Sequence, residues 1–564
     1  MKRIIPVLLI VFGISCNQDI LDIEPQDKIA ESAVWGNPDL IRAYHAELYN
    51  AIPHGFYIHM YSKYTDEAYN SAPCCCAEHF KLHTYSPDNI AQVGGDWCGN
   101  FLYFWDRGYQ YNRRINVFLE KMEELDIVME DKDMLVAEAK FLRAYIYFEL
   151  FKRFGGVPIV TEPYELGESG EVQFERNTID ECVAFIEQDL GEAIPNLPAR
   201  YASNNENYGR ATADAAQALL SRTYLYAASP LFNTTNDQQK WQKAADAAEA
   251  LLNKGYALYP DYQALFELSH GDAQDEVIFS KGFTATSANG HQAPMHNFNR
   301  RYEAYGGWWG SNGPAQNLVD DYDMTNGEPP FLADGSINPA SGYDPQNPFA
   351  NRDPRFDATI VHDGSEFRGD TYEMWIAEDG SQWGYDSYKN TGDNPRTNYV
   401  LKKFMPSAGS FNWSTWFTNQ WPHFRLAEIY LNYAEAKFEL GDEATAREYV
   451  NKVRKRASVN LPDISATGAE LRRRIYNERR VELAFENHRF FDVRRWKIAD
   501  DIENRPITTL DIYRDMSTGE KRYAKVVLLD RTGKFQEQMN LLPVAQDEIQ
   551  RNPKLTQTPG WAGD

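Results

Sequence analysis

The feature that most narrows the fold of this chain is a recurring pair of helical segments closed by a tight turn. In Arg425–Leu440 and Glu443–Arg456 apolar residues recur at helical spacing, and Gly441-Asp442 turns the chain between them. Ala434, Ala444 and Val450 place small or apolar side chains where two antiparallel helices must touch. A second pair, Ala211–Ala228 and Trp241–Leu252, is joined by Ser229-Pro230 and a polar loop. Met134–Phe154 carries Leu135, Ala139, Leu142, Ile146 and Leu150 on one face, and Gly155-Gly156 with Pro158 ends it. Ile179–Ile194 follows as a further helix after an insertion. Each such segment buries its stripe only against another, so stacked helices are the expected frame.

Paired helices of this kind resemble tetratricopeptide repeats, whose period is about 34 residues. The copies here are scattered and interrupted, so a regular solenoid is not expected. Between about Gly271 and Pro422 Gly, Pro, Asn and aromatic residues dominate, and only short strand-like pieces such as Glu276-Val277-Ile278-Phe279 occur. A loop-rich region of that length inside a helical frame is usually functional. Ile507–Tyr513 and Lys525–Leu529 read as short strands of a hairpin-like unit. The predicted fold class is mainly α, with embedded tetratricopeptide-type helix pairs forming a helical frame packed against a large irregular loop-rich lobe with short strands.

The 564 residues allow one large domain or several. Aromatic residues make up 14 % of the chain, enough apolar surface to offset the entropy of ordering, which excludes disorder. With 82 Asp and Glu against 57 Lys and Arg the formal net charge is −25. That sign argues against a nucleic-acid partner and against a surface resting on anionic lipid.

At the N-terminus Lys2 and Arg3 precede an apolar run from Ile4 to Ile14 broken only by Pro6 and Gly13. The run is too short to span a bilayer core of about 30 Å but suits a signal peptide. Ser15-Cys16 at its end resembles a bacterial lipoprotein cleavage site, with Gly13 where that pattern prefers Leu. Residues 1–15 are therefore expected as signal peptide, Cys16 as the lipid attachment point, and 16–30 as a lipidated tether. An ordinary secretory signal with an incidental Cys is the alternative. Five further cysteines, Cys74, Cys75, Cys76, Cys98 and Cys182, are an odd set and so no disulfide framework. Three consecutive thiols suit zinc poorly, even with His79 and His83 nearby, so free thiols or a local disulfide with Cys98 are expected and no metal.

Searches for enzyme chemistry find no G-x-S-x-G, H-E-x-x-H, G-x-x-x-x-G-K-[ST] or convincing G-x-G-x-x-G pattern. Carboxylates are plentiful, but no spacing singles out a pair that would flank a glycosidic bond. Asp320-Asp321-Tyr322-Asp323-Met324-Thr325-Asn326-Gly327 loosely resembles a calcium loop with its Gly one place late and no terminal Glu. It reads as a solvated acidic turn. The basic stretch Lys452–Lys497 interleaves Arg472-Arg473-Arg474, Arg479-Arg480 and Arg494-Arg495 with Glu478, Glu482, Glu486 and Asp492. Intramolecular ion pairs account for it better than a nucleic acid does.

Several blocks resemble the SusD/RagB family. They are Ala137–Tyr145 running on to Arg153–Pro158, then Phe424–Ala436, then Asn477–Glu486 with Asp492–Trp496. Leu542-Pro543-Val544, Asn552-Pro553 and Pro559-Gly560-Trp561 are similar to that family's closing pattern, and Leu21–Pro25 to its opening. The resemblance implies a SusD-like domain over 31–564: a helical frame at about 31–270 and 423–500, an irregular lobe at about 271–422, and a C-terminal hairpin and tail at 501–564. It implies an outer-membrane, cell-surface lipoprotein, held to the membrane by its lipid alone, that captures oligosaccharide and serves as lid on a SusC-like TonB-dependent transporter. It implies no catalysis, cofactor or nucleic acid. A transporter-associated scaffold or a peptide-binding member with little glycan affinity is the alternative, and a glycoside hydrolase a third.

Sugars lay their C–H faces on aromatic rings and offer hydroxyls to Asn, Asp and Arg. Two Gly-rich aromatic stretches suit that chemistry: Gly94–Asn100 with Trp97 and Asn100, and Arg300–Gly310 with Tyr302, Tyr305, Trp308 and Trp309. Both lie roughly where glycan-binding members carry their stacking residues. Asp66 is a further expected polar contact. Trp105 and Tyr109 read as core, and Trp413, Trp416 and Trp421 as either a partner surface or core.

Overall fold

The structure, a computed structural model, describes residues 34–57, 60–69, 77–95, 101–125, 127–164, 173–301 and 310–561. Its helices are α1 (Pro38–Leu48), α2 (Trp105–Glu124), α3 (Lys132–Phe154), α4 (Ile179–Ala193), α5 (Ala213–Ala228) and α6 (Gln238–Glu249). After the insertion come α7 (Leu426–Glu439), α8 (Glu443–Arg454), α9 (Gly468–Glu482) and α10 (Arg489–Arg495). The strands used below are β1 (Val277–Lys281), β2 (Ile376–Ala377), β3 (Trp421–Arg425), β4 (Ile507–Arg514) and β5 (Lys521–Leu529). Helix dominates, as the periodicity predicted.

Local chemistry sets where the helices start. Thr178 accepts from Glu181 N while Glu181 reaches back to Thr178 N, a reciprocal cap on α4. Thr212 caps α5 through Ala215 N at 3.1 Å, and Asp442 caps α8 through Thr445 N at 3.1 Å. The helix expected from Trp241 begins earlier, at Gln238, because Asp237 accepts from Gln239 N at 2.9 Å. Between α7 and α8 the chain reverses at Gly441, whose φ of +84° strains any residue with a Cβ.

Each helix from α2 to α8 lies against the next, including α6 against α7, although the insertion separates that pair in sequence. The reason is at the neck of the insertion. There β1 and β3 pair antiparallel, Val277 opposite Arg425 and Lys281 opposite Trp421, so the chain leaves and returns at one place. Helix α3 is buried on almost every face, as a helix at the centre of a stack must be. Its enclosed charges are paired: Arg143 with Asp189 at 2.8 Å, Arg153 with Glu149 at 2.5 Å, and Glu138 with Arg210 at 2.9 Å.

The inserted region has its own core, in which Phe298, Tyr322, Phe356, Tyr399 and Trp421 are buried. The expected C-terminal hairpin forms as β4 and β5, with Ile507 opposite Leu529 and Arg514 opposite Lys521. Strand β2 joins it parallel to β4, through Tyr513 and Ile376.

Where lobe meets frame, six cations and six carboxylates among the described residues form one connected cluster. Arg425 contacts Glu276, Glu482 and Glu486, and Arg456 contacts Glu276 and Glu482. Arg355 contacts Asp353, Glu478 and Glu482, while Arg454 bridges Asp323 and Glu478. Arg474 adds to Asp323 and Lys403 to Glu486. The cluster is internally neutral, which is what allows so many charges to be dry. It accounts for part of the Lys452–Lys497 basic stretch; Arg479 on Asp492 and Arg495 on Glu435 account for more.

The acidic turn at 320–327 differs from expectation. Asp323 is only 2 % exposed and is held by Arg454 and Arg474, Asp321 pairs with Arg480 at 2.7 Å, and Asp320 with Lys525. Guanidinium groups from α8 and α9 replace the water the sequence suggested. Among the described residues no group of three His, Cys, Asp or Glu side chains is placed to hold a metal ion.

Candidate functional site

The candidate site grows from the residues after α1. Tyr49–Ala51 form a single 3-10 turn, after which the chain passes over Trp421 at Gly55. A Cβ on Gly55 would lie 2.0 Å from the Trp421 ring, so only glycine permits this approach. Phe56 then points inward, stacked on His291 at 4.0 Å and edge-on to Phe404 and Trp421. With Phe56 anchored, its neighbours His54 and Tyr57 lie at the half-buried boundary.

These two rings begin a continuous aromatic ridge. His54 stacks on Tyr57 at 4.2 Å and meets Phe283 edge-on at 5.2 Å; Tyr57 meets Phe101 at 5.3 Å. The Arg107 guanidinium covers Phe101 at 4.4 Å and donates to Asn50 O. His54 Nδ1 accepts from Phe56 N at 3.1 Å, which leaves Nε2 as the protonated nitrogen of a neutral ring. Burial, and then the charges of Lys281 and other nearby cations, hold the His54 pKa well below its ordinary value.

A hollow lies on each side of the ridge. The first, about 510 Å³, is lined by Gly95, Phe101, Tyr103, Asp106, Arg107 and Gln110. The second, about 360 Å³, is lined by residues including Ile52, Tyr208, Lys281, Phe283, Thr284 and Asn289. Beneath His54 a third space of about 40 Å³ among Glu149, Lys152, Arg222 and His423 holds at most water-sized molecules. Half-buried rings flanked by amide, hydroxyl and cationic side chains can stack on an apolar face and hydrogen-bond its rim.

Of the residues singled out from sequence, Trp97, Asn100, Tyr302, Tyr305, Trp308 and Trp309 lie outside the described residues, as do Cys16, Cys74, Cys75, Cys76 and Cys98. The described flanks of the two aromatic loops nonetheless converge. Phe101 touches Tyr57, and three residues further on Met60 N donates to Asn312 Oδ1 at 3.2 Å. Three residues span at most about 11 Å. Gly310 N in turn donates to Phe298 O at 3.1 Å, bringing together the two ends of the second stretch.

Asp66 is not on this face. It is 4 % exposed, and its oxygens accept from Arg489 at 2.9 Å and from Arg480 at 2.7 Å. Burial would raise its pKa, but the two guanidinium groups outweigh that and hold the carboxyl below the usual range. The expected ligand contact is corrected to an interior anchor for α9 and α10. Trp105 is core, as read, and Tyr109 is half-buried with its hydroxyl donating to Pro158 O at 2.8 Å. Trp421 is core, whereas Trp413 is 53 % exposed. Cys182 is a buried free thiol, pushed up to about 11 by burial.

Sequence reasoning missed His54, Tyr57, Phe101, Arg107, Lys281 and Phe283. A usable signal was present: Gly55-Phe56-Tyr57 and Gly282-Phe283 set glycine beside aromatics, as the stretches chosen did.

Comparison with known proteins agrees with this architecture. A family model described as "Starch-binding associating with outer membrane" matches residues 19–225, and one described as "SusD family" matches residues 275–561. The fold is similar to a SusD-like protein of Bacteroides fragilis, with TM-score 0.76 and 28 % identity, covering 95 % of this chain and 100 % of that one. It is also similar to a SusD-like carbohydrate binding protein of the same organism, with TM-score 0.73 and 25 % identity, covering 93 % and 100 %. SusD-like protein P25 of Formosa agariphila is 25 % identical over 414 residues, 71 % of this chain and 70 % of that protein. With one model covering just over half of the sequence and the stacked helices matching end to end, this chain belongs to the SusD family.

Proposed function

We propose that this protein captures oligosaccharide at the cell surface without cleaving it and passes it to a SusC-like TonB-dependent transporter, on which it acts as the lid. The observation that carries the binding part is the half-buried ridge of His54, Tyr57 and Phe101 between two open hollows. Rings so placed offer flat apolar faces to sugar C–H groups, with Gln110, Thr284 and Asn289 at the rim for hydroxyls. A relative of similar fold is described as carbohydrate binding, and the family model over 19–225 as starch-binding at the outer membrane, which supports the same reading. Trp97, Asn100, Tyr302, Tyr305, Trp308 and Trp309 are proposed to extend this surface from the adjoining loops.

Among the described residues no helix is long and apolar enough to cross a membrane. Attachment through an acylated Cys16 is proposed, with 16–30 as tether.

Affinity electrophoresis of the purified protein against a panel of neutral and acidic polysaccharides tests capture. Retardation by at least one is expected, with Tyr57→Ala and Phe101→Ala each weakening it about tenfold or more, the loss of one buried stacking contact. Retardation by no glycan, or undiminished retardation of both variants, refutes the reading. Co-purification of a large barrel protein from outer membranes tests the transporter partnership separately.

A further inference from the structure

Around the ridge most cations are matched by carboxylates. Arg114 pairs with Glu47 at 3.4 Å, Arg210 with Glu138 at 2.9 Å and Arg222 with Glu428 at 2.6 Å. Two are not. Among the described residues Arg107 has no acidic partner: it donates to Asn50 O, lies over Phe101 and Tyr111, and its Nε has no acceptor. Lys281, the last residue of β1, has its ammonium 5.4 Å from the Phe283 ring and likewise no carboxylate. It borders the second hollow, whose lining contains no Asp or Glu at all.

The two charges sit on either side of His54 and act on one another. Burial, and then the repulsion of Arg107, lower the Lys281 pKa, and both cations lower that of His54. Glu47, itself engaged by Arg114 and the Tyr111 hydroxyl, opposes this in part. Although the chain carries 82 carboxylates and a net charge of −25, none among the described residues forms an ion pair with either of these two half-buried like charges. Such an arrangement costs stability unless a bound anion supplies the missing charge. A guanidinium binds planar or tetrahedral oxyanions through paired N–H groups, and an ammonium adds a point charge.

We propose that the captured glycan is acidic, with carboxylate or sulfate-ester groups met by Arg107 at the first hollow and by Lys281 at the second while a sugar ring stacks on Tyr57 or Phe101. This rests on the glycan-binding reading above and narrows it to a substrate class. His54 Nε2–H is a further donor on the ridge. Since the overall field repels anions, selection depends on these local contacts rather than on long-range steering.

Calorimetric titration with matched ligands tests it: an oligogalacturonide against its carboxyl-reduced form, and a sulfated galactan oligosaccharide against its desulfated form. One acidic member is expected to bind at least about tenfold more tightly than its neutral counterpart, and which pair responds distinguishes uronate from sulfate. Arg107→Gln and Lys281→Gln are each expected to weaken that binding about tenfold, and Lys281→Arg to retain it. Thermal melts identify any variant that fails to fold, in which case the Lys281 pair of variants decides. Equal affinity for acidic and neutral members, or wild-type binding by both Gln variants, overturns the acidic assignment and leaves glycan capture standing. Binding of no member, acidic or neutral, here and in the wider panel overturns both.

Discussion

Removing one negative charge from the junction cluster tests whether that cluster holds the lobe to the frame. Glu482, at the end of α9, is fully buried. Its Oε1 accepts from Arg425 and Arg456, both at 2.7 Å, and its Oε2 from Arg355 at 3.0 Å. Burial alone would raise its pKa; the charges of Arg456, Arg425 and Arg355 together hold it below the usual carboxylate range. Glu482→Gln keeps the shape, leaves six cations facing five carboxylates, and turns an amide N–H₂ toward a guanidinium. At charge separations of about 4 Å and an effective dielectric of about 20, each lost attraction is about 4 kcal/mol. Relaxation and water entry return much of that sum, so the net expectation is a destabilisation of about 3–5 kcal/mol, as when one side of a buried ion pair is removed. Guanidinium unfolding at neutral pH followed by tryptophan fluorescence reads this as an earlier first transition. Adding Arg456→Gln to Glu482→Gln restores the balance of charge and should recover part of the loss. A change below about 1 kcal/mol in the single variant, or no recovery in the double, would refute the view that the cluster's charge balance carries this junction.

Two further outcomes follow from the same geometry. Calcium should leave the thermal unfolding midpoint unmoved, because Asp320, Asp321 and Asp323 are each engaged by Lys525, Arg480, Arg454 or Arg474; an upward shift would show that the turn binds the ion. Lys81, buried with its ammonium donating to Thr65 O and Ala68 O, is brought down to about 7 by burial and then by Arg531. Between that value and the ordinary 10.5 the unfolded chain holds a proton the folded one has shed, so stability rises with pH through this window and is lost as pH falls. Lys81→Met should remove up to about 1.4 kcal/mol per pH unit of that slope in urea unfolding above neutral pH, and an unchanged slope would count against it.

The legible parts of the fold are those whose determinants are local. Caps such as Thr178 with Glu181 and turns such as Gly441 act within four residues, so helices and their ends can be read along the chain. Interleaved Arg and Glu in α9 and α10 likewise announced ion pairing rather than a basic face. Their partners were not legible. Arg495 reaches Glu435, Arg456 reaches Glu276 and Arg355 reaches Glu478, contacts that depend on which helices stack and where the insertion folds back.

The site divides in the same way. Glycine beside aromatics in open loops marked the candidate stacking residues, but composition alone could not say which rings share a face. His54 and Tyr57 after α1, Phe101 just before α2 and Arg107 in its first turn, and Lys281 at the end of β1 with Phe283 just beyond it are brought together as α2 stacks on α3 and β1 pairs with β3. Asp66 shows the converse: a polar residue near the expected site that tertiary packing draws inward to Arg480 and Arg489. Periodicity and capping are short-range properties of the chain, and they determined a stacked helical frame with a large insertion. Charge neutralisation and ring contacts act through space between residues hundreds of positions apart, and only the tertiary structure decided which carboxylates are dry and which cations, among the described residues, form no ion pair.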